Sequence, residues 1–378
     1  MGLAAMTLAS RASAGLLDRR ALDTFVAAQM RAGAIPGLAI GIARAGRVLC
    51  TRGYGLADIA DGRRVTTESM FHIASVTKTV TATGIMMLVE QGLIALDDPV
   101  NRHLDFAVAN PAASGVPITV RQLLMHTSSL SDETYYKVDF RTPGQDASVP
   151  LDQFLKNYLV PGGAHYTAAG SYSAATPGQA YDYSNVGYGL LGYLGERVVG
   201  MDFRTYLDQH LFQRLDMKRP SWTIAGVPSH LRVVPYEPTD DGPRPVAAVG
   251  SPDWPGSMIR TSISGLMPFV AAAANGGVAG RTRMLGAAAM AQMLEMHAPA
   301  GLPSWLTGQG LAWMESPEAE ARRINHWGGD PGVFTAAYLD PAATTGIAIF
   351  TNITATTASK AAIKALAGHL LHLAGSVA

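Results

Sequence analysis

Strand patterns lie near both ends of this chain, and a mainly helical stretch separates them. Residues 38–44 and 47–54 read as two strands turning at Ala45-Gly46, preceded by an amphipathic helix over 17–33 (Leu17, Leu22, Phe25, Val26, Met30). Residues 310–313, 322–326, 333–339 and 346–351 also read as strands, with turns over 328–332 and at Asp340-Pro341. A helix over 355–374 follows. Strands joined by short turns must pair antiparallel. The arrangement that satisfies both ends is an α+β fold. One antiparallel sheet, assembled from both ends and flanked by terminal helices, carries an inserted, mainly helical sub-domain. The expected division is an α/β lobe of residues 16–75 and 200–378 and a helical lobe of 76–199, with 1–15 as an N-terminal extension or signal remnant. A cleft between the lobes is the natural place for a site.

Between the strands, helices are expected over 76–92, from a Thr119 cap to Met125, over 151–159, from Asn185 to Val199 with Gly200 ending it, and over 202–215, 263–275 and 284–297. Residues 131–182, rich in Gly, Ser, Pro and Tyr, form a long loop of the kind that is usually functional. The proline-rich 219–256 segment reads as an irregular excursion.

Ser75 opens the first of these helices and Lys78 follows one turn later on the same face. A serine hydroxyl becomes a useful nucleophile when a base removes its proton. Lysine serves when burial lowers its pKa, and the apolar run after Lys78 (Val80, Ala82, Ile85, Met86, Leu88, Val89) implies a buried helix. The helix N-terminus adds N–H groups suited to an oxyanion. A capping serine beside a surface lysine is the alternative reading. Two more stretches belong with this pair. Tyr183-x-Asn185 can present a phenol and an amide from one turn, or simply be a tyrosine-rich turn with Asn185 as a cap. His326-Trp327-Gly328-Gly329 ends a strand; its glycines permit close backbone approach and Gly329 can donate a second N–H, or they form only a hairpin turn.

Taken in this order, Ser75-x-x-Lys78, Tyr183-x-Asn185 and His326-x-Gly328 resemble the serine β-lactamase and penicillin-binding-protein superfamily. The chain most resembles the branch of class C β-lactamases, DD-peptidases, D-aminopeptidases and family VIII esterases. The segments 71–75, 122–128, 177–192 and 332–334 match as well, so the resemblance covers roughly residues 20–375. It implies Ser75 as nucleophile of an acyl-enzyme, and Lys78 as general base or as the group that keeps Tyr183 deprotonated. It implies Tyr183 as proton relay, Asn185 as the residue orienting Lys78 and substrate, and the N–H groups of Ser75 and Gly329 as oxyanion hole. His326 and Trp327 stand where β-lactamases of this branch carry a lysine and a small hydroxyl residue, which removes the usual carboxylate anchor. Reading the strand one residue along, as Trp327-Gly328-Gly329, resembles family VIII esterases; the His326 register suits the spacing to Gly332 better.

The expected activity is a carboxylesterase-like serine hydrolase acting on a small-molecule ester or amide. A DD-peptidase, D-aminopeptidase or weak β-lactamase is the alternative, and a non-catalytic binding homologue the second. Its mouth is expected to be apolar, built from Tyr135, Tyr136, Tyr158, Tyr166, Tyr172 and Trp327, while Arg322 and Arg323 are the candidate cations for the peptidase reading. No cofactor or metal is expected. Gly187-x-Gly189-x-x-Gly192 matches a dinucleotide fingerprint but falls inside a helix, and His126 is expected to order its loop. Zero formal net charge and the lack of a basic run argue against nucleic acid. No stretch reaches the ~18 apolar residues of a membrane span. Cys50, the single cysteine, precludes an intramolecular disulfide.

Overall fold

The computed structural model describes residues 19–218, 220–317 and 322–376. The 1–15 extension lies outside the described residues. The sheet has eight strands: β1 (Gly37–Arg44), β2 (Arg47–Asp58) and β3 (Arg63–Arg64) from one end of the chain, and β4 (Gly308–Gln309), β5 (Met314–Pro317), β6 (Arg322–Asp330), β7 (Val333–Asp340) and β8 (Thr345–Thr351) from the other. Their order is β4-β5-β6-β7-β8-β1-β2-β3, with every ladder antiparallel. The two ends of the chain meet at the β1–β8 ladder, where Ile40 stands opposite Ile349.

The helices that frame the sheet and the cleft are α1 (Arg19–Ala32), α2 (Thr77–Glu90), α3 (Val120–Leu124), α4 (Glu133–Val138), α5 (Leu151–Leu159), α6 (Asn185–Val199), α7 (Ile263–Ala274) and α8 (Thr357–Ser376). Strand alternation sorts the sheet's side chains by size. Leu38, Ile40, Ile42, Tyr338, Ile347 and Ile349 meet Leu22 and Val26 of α1 and Ile363, Leu366 and Leu370 of α8. The opposite face carries Ala39, Ala43, Ala337 and Ala348, and there α7 lies close. The approach depends on Gly41, where a Cβ would stand 2.3 Å from Cγ of Met267.

Helix α2 is buried on every side from Thr77 to Leu88 and packs against α6. The glycines of the fingerprint-like run serve packing inside α6: a Cβ on Gly192 would lie 2.3 Å from Pro255 Cγ. Gly200 closes α6 in the left-handed region at φ +68°, as a C-terminal glycine does.

Several elements differ from the sequence expectation. Residues 310–313 form a tight turn rather than a strand, because Ala312 takes φ +68° and Gly310 N–H donates to the Trp313 carbonyl. The expected 328–332 turn is shorter: Gly329 pairs with Phe334 and Asp330 with Val333, so β6 runs on and only Pro331-Gly332 turns. The 202–215 helix is a short helix Phe203–Leu207 running into a π-helical turn, Asp208–Phe212. Cys50 is half-buried beside Arg52, whose Nε donates to its sulfur at 3.4 Å.

Candidate active site

Ser75 sits in a 3-10 turn, Ala74–Val76, that feeds α2. Ala74 adopts φ +46°, a left-handed conformation that costs an alanine energy and often marks a functional turn. The turn is held from the sheet: Thr335 Oγ1 of β7 donates to the Ile73 carbonyl at 2.7 Å. Beside it, the strand comes in without side chain. A Cβ on Gly328 would lie 2.3 Å from the Ile73 carbonyl oxygen and 3.1 Å from Ser75 N.

Lys78 is fully buried one helical turn further on. Its Nζ donates to Ser75 Oγ at 3.2 Å, to Asn185 Oδ1 at 2.7 Å and to the Gly256 carbonyl at 2.9 Å. It also lies 4.9 Å from the Tyr183 ring centre and 5.5 Å from that of Tyr188. Burial lowers its pKa to about 8, against the opposing pull of Asp253, Asp132 and Asp330. An amine so placed is partly neutral near physiological pH and points at the hydroxyl it would deprotonate.

Burial raises the Tyr183 phenol well above its ordinary value, and a hydrogen bond with Ser75 only partly opposes this. The phenol is thus a proton donor at neutral pH. Its Oη lies 3.5 Å from His326 Nε2. His326 Nδ1 is 2.6 Å from the Ala312 carbonyl, which obliges that nitrogen to carry the proton and leaves Nε2 as an acceptor facing Tyr183. Burial and Lys78 lower the His326 pKa to about 3, so the ring is neutral. The turn misread as a strand is therefore the support of this histidine.

The Tyr183–Asn185 turn rests on a residue that the sequence reading passed over. Buried Asp132 accepts from Ser184 Oγ at 2.8 Å, from Asn185 N at 2.6 Å and from Val186 N at 3.3 Å, at the start of α6. Burial raises its pKa to about 6, with the three donors opposing. From the other side, His126 Nδ1 accepts from Ser184 N at 3.1 Å, and its ring stacks on Tyr183 at 4.2 Å. His126 thus orders this turn, as its loop position suggested. A second buried acid, Asp253, accepts from Tyr135 Oη at 3.1 Å and from Ser251 Oγ. It comes from the proline-rich excursion, whose sequence carries no periodic signal, and neither acid belongs to a motif that would single it out.

Ser75, Tyr183, Asn185 and Gly329 line a cleft of about 720 Å³. Tyr135, Tyr136, Tyr181 and the stacked pair Trp305 and Trp327 supply aromatic walls. The expected mouth needs correction. Tyr158 and Tyr172 are core residues, held by bonds to the carbonyls of Ser131, Gly170 and Leu159, and Tyr166 packs against Tyr172 away from the cleft. Alternation along β6 turns the Trp327 side chain away from His326, toward Phe334 and beneath Lys364, 5.1 Å from its ring centre. The Arg323 guanidinium lies toward Gly368 of α8. The cation that does line the cleft is Arg141, paired with Asp139 at 2.7 Å and Asp330 at 3.0 Å.

Comparisons agree with this architecture. The family model described as "Beta-lactamase" matches residues 22–371. Among curated relatives, "Protein flp" of Staphylococcus aureus (strain MW2) is 27% identical over 221 residues, 58% of this chain and 41% of that protein. "Penicillin-binding protein 4*" of Bacillus subtilis (strain 168) is 30% identical over 170 residues, 45% of this chain and 34% of that protein. The matched segments thus span less than half the length of these relatives. Among solved structures, "EstCE1, a hydrolase with promiscuous acyltransferase activity" superposes with a TM-score of 0.73 at 21% identity, covering 98% of this chain and 99% of that one, a likeness of fold.

Proposed function

This chain belongs to the beta-lactamase family, a family of serine hydrolases, and from that premise we propose that it hydrolyses small esters lacking a carboxylate through an acyl-enzyme on Ser75. The observation that carries the reading is the buried Lys78 amine, which reaches both Ser75 Oγ and Asn185 Oδ1.

In the proposed reaction the substrate carbonyl carbon is attacked by Ser75 Oγ while Lys78 takes the hydroxyl proton. The oxyanion of the tetrahedral intermediate sits against the N–H groups of Ser75 and Gly329. The side-chain-free Gly328, whose missing Cβ would crowd Ser75 N, supports this placement. Tyr183, protonated at neutral pH, delivers a proton to the leaving alkoxide and regains the proton that Lys78 took from Ser75. A water then attacks the acyl group with Tyr183 and Lys78 acting in the reverse sense. Asn185 holds the Lys78 amine in line and His326 Nε2 faces the Tyr183 hydroxyl.

Preference for esters without a carboxylate follows from the third motif. His326 is neutral, the Trp327 side chain carries no charge, and Arg141 is already engaged by two carboxylates. A carboxylate-bearing peptide or β-lactam would find no free cation among the described residues that line the cleft. The peptidase or β-lactamase reading, which the similarity to a penicillin-binding protein favours, requires Arg141 to leave its two carboxylates on binding.

The test is parallel hydrolysis of a short-chain p-nitrophenyl ester, a D-alanyl peptide and a chromogenic cephalosporin by the wild type and Ser75→Ala. Ester turnover that vanishes in Ser75→Ala, with little on the other two, is expected. Preference for the peptide or the cephalosporin would overturn the ester reading, and ester turnover surviving in Ser75→Ala would place the nucleophile elsewhere.

A further inference from the structure

Every carboxylate around this cleft but one has at least one hydrogen-bond donor or cation partner among the described residues. Asp132 takes three donors, Asp253 takes Tyr135 and Ser251, and Asp139 and Asp330 share Arg141. Asp182 is the exception. It lines the cleft between Tyr181 and Tyr183, with its backbone fixed by its own N–H donating to the His126 carbonyl at 2.7 Å. Its carboxylate has no hydrogen bond or ion pair among the described residues. Burial raises its pKa, and no cation opposes the shift. Next to it, the Tyr181 hydroxyl is buried without a hydrogen-bond partner. Asp182 thus presents to the cleft a half-buried negative charge with no counter-charge among the described residues, which a bound cation would supply.

We infer that Asp182, with the Tyr181 hydroxyl and the aromatic faces of Tyr136 and Trp305, receives a cationic amine group of the substrate, so that amine-bearing esters are the favoured class. A cationic amine supplies the counter-charge that the Asp182 carboxylate lacks. The aromatic walls accept a cation on their faces. The remaining cations add no competition: Lys78 is committed to Ser75, Asn185 and Gly256, and Arg141 to its two carboxylates. This inference rests on Ser75-dependent ester hydrolysis and narrows its substrate.

The experiment compares two isosteric pairs by pH-stat. On the alcohol side the pair is butyrylcholine and 3,3-dimethylbutyl butyrate. On the acyl side it is methyl 4-(trimethylammonio)butanoate and methyl 5,5-dimethylhexanoate. In at least one pair the cationic ester should have the higher kcat/KM, by about tenfold at low salt, and the advantage should shrink as salt screens it. In Asp182→Asn the ratio within that pair should fall toward one, and Asp182→Glu should restore part of it. Cationic esters no better than their neutral isosteres in the wild type would overturn the inference while leaving the hydrolase reading intact. So would a preference unchanged in Asp182→Asn. No Ser75-dependent turnover of any of the four would overturn the hydrolase reading, and this inference with it.

Discussion

Lys78 and Asp253 both close on the side-chain-free Gly256: a Cβ there would lie 3.5 Å from Lys78 Nζ and 3.4 Å from Asp253 Oδ2. That carboxylate oxygen is buried and accepts no hydrogen bond. Its charge therefore acts on the amine through a dry interior, holding the Lys78 pKa up against burial. In Asp253→Asn the Lys78 pKa should drop, and the acid limb of kcat/KM for a neutral ester should move to lower pH by roughly one unit. An unmoved limb, with the protein folded, would mean that Asp253 serves packing only.

In the wild type the same limb should lie near pH 8. If neutral Lys78 is the base, kcat/KM rises with pH through about 8, because the folded-state pKa is depressed to that value. His326 and His72 are held near 3 and His126 well below its ordinary value, so no histidine inflection should appear near neutrality. A profile that instead falls above pH 8 would assign catalysis to the Lys78 cation with an ionised Tyr183.

Asp132 closes the N-terminus of α6 from outside that helix. Asp132→Ala leaves two buried N–H groups and a hydroxyl without their acceptor, an expected loss of about 3–5 kcal/mol. Asp132→Asn keeps one acceptor oxygen and should cost less. Urea midpoints of the two variants measure the order; equal midpoints would contradict it.

Gly328 and Gly41 separate catalysis from stability. Gly328→Ala pushes a methyl group into the Ile73 carbonyl and toward Ser75 N. The displaced nucleophile should lower kcat about 10²-fold, a misplacement effect, as read in steady-state assays with near-UV circular dichroism to verify the fold.

Gly41→Ala forces the new methyl into Met267, far from the cleft. Thermal unfolding should show destabilisation of about 1–3 kcal/mol, with kcat close to wild type. A kcat that falls in step with stability would tie the sheet-to-α7 packing to the site.

Much of the fold was legible locally. Short apolar runs bounded by turns marked β1, β7 and β8, and the Thr119 cap and Gly200 marked the start of α3 and the end of α6, because such signals act over a few residues, whereas the cap of α6 is Ser184 and not the expected Asn185. Where backbone conformation depended on distant partners, local reading failed. Trp313 and Leu311 look like strand residues, yet the left-handed Ala312 turns the chain there, its N–H held by the Leu124 carbonyl. The tyrosines show the same limit, since their composition suits both a mouth and a core.

The sequence by itself determined the order of the chemical groups, the helical spacing of Ser75 and Lys78, and the pairing logic of a sheet made from both ends of the chain. Only the tertiary structure decided the rest. It brought Asp132 and Asp253 toward Lys78 from segments with no motif, fixed the His326 tautomer through a carbonyl 14 residues away, and left Asp182 without a partner among the described residues. The reason is physical. Hydrophobic period and capping are set by neighbours along the chain. A pKa, a tautomer or an unmet charge is set by whatever the folded chain places within a few ångströms, irrespective of sequence separation.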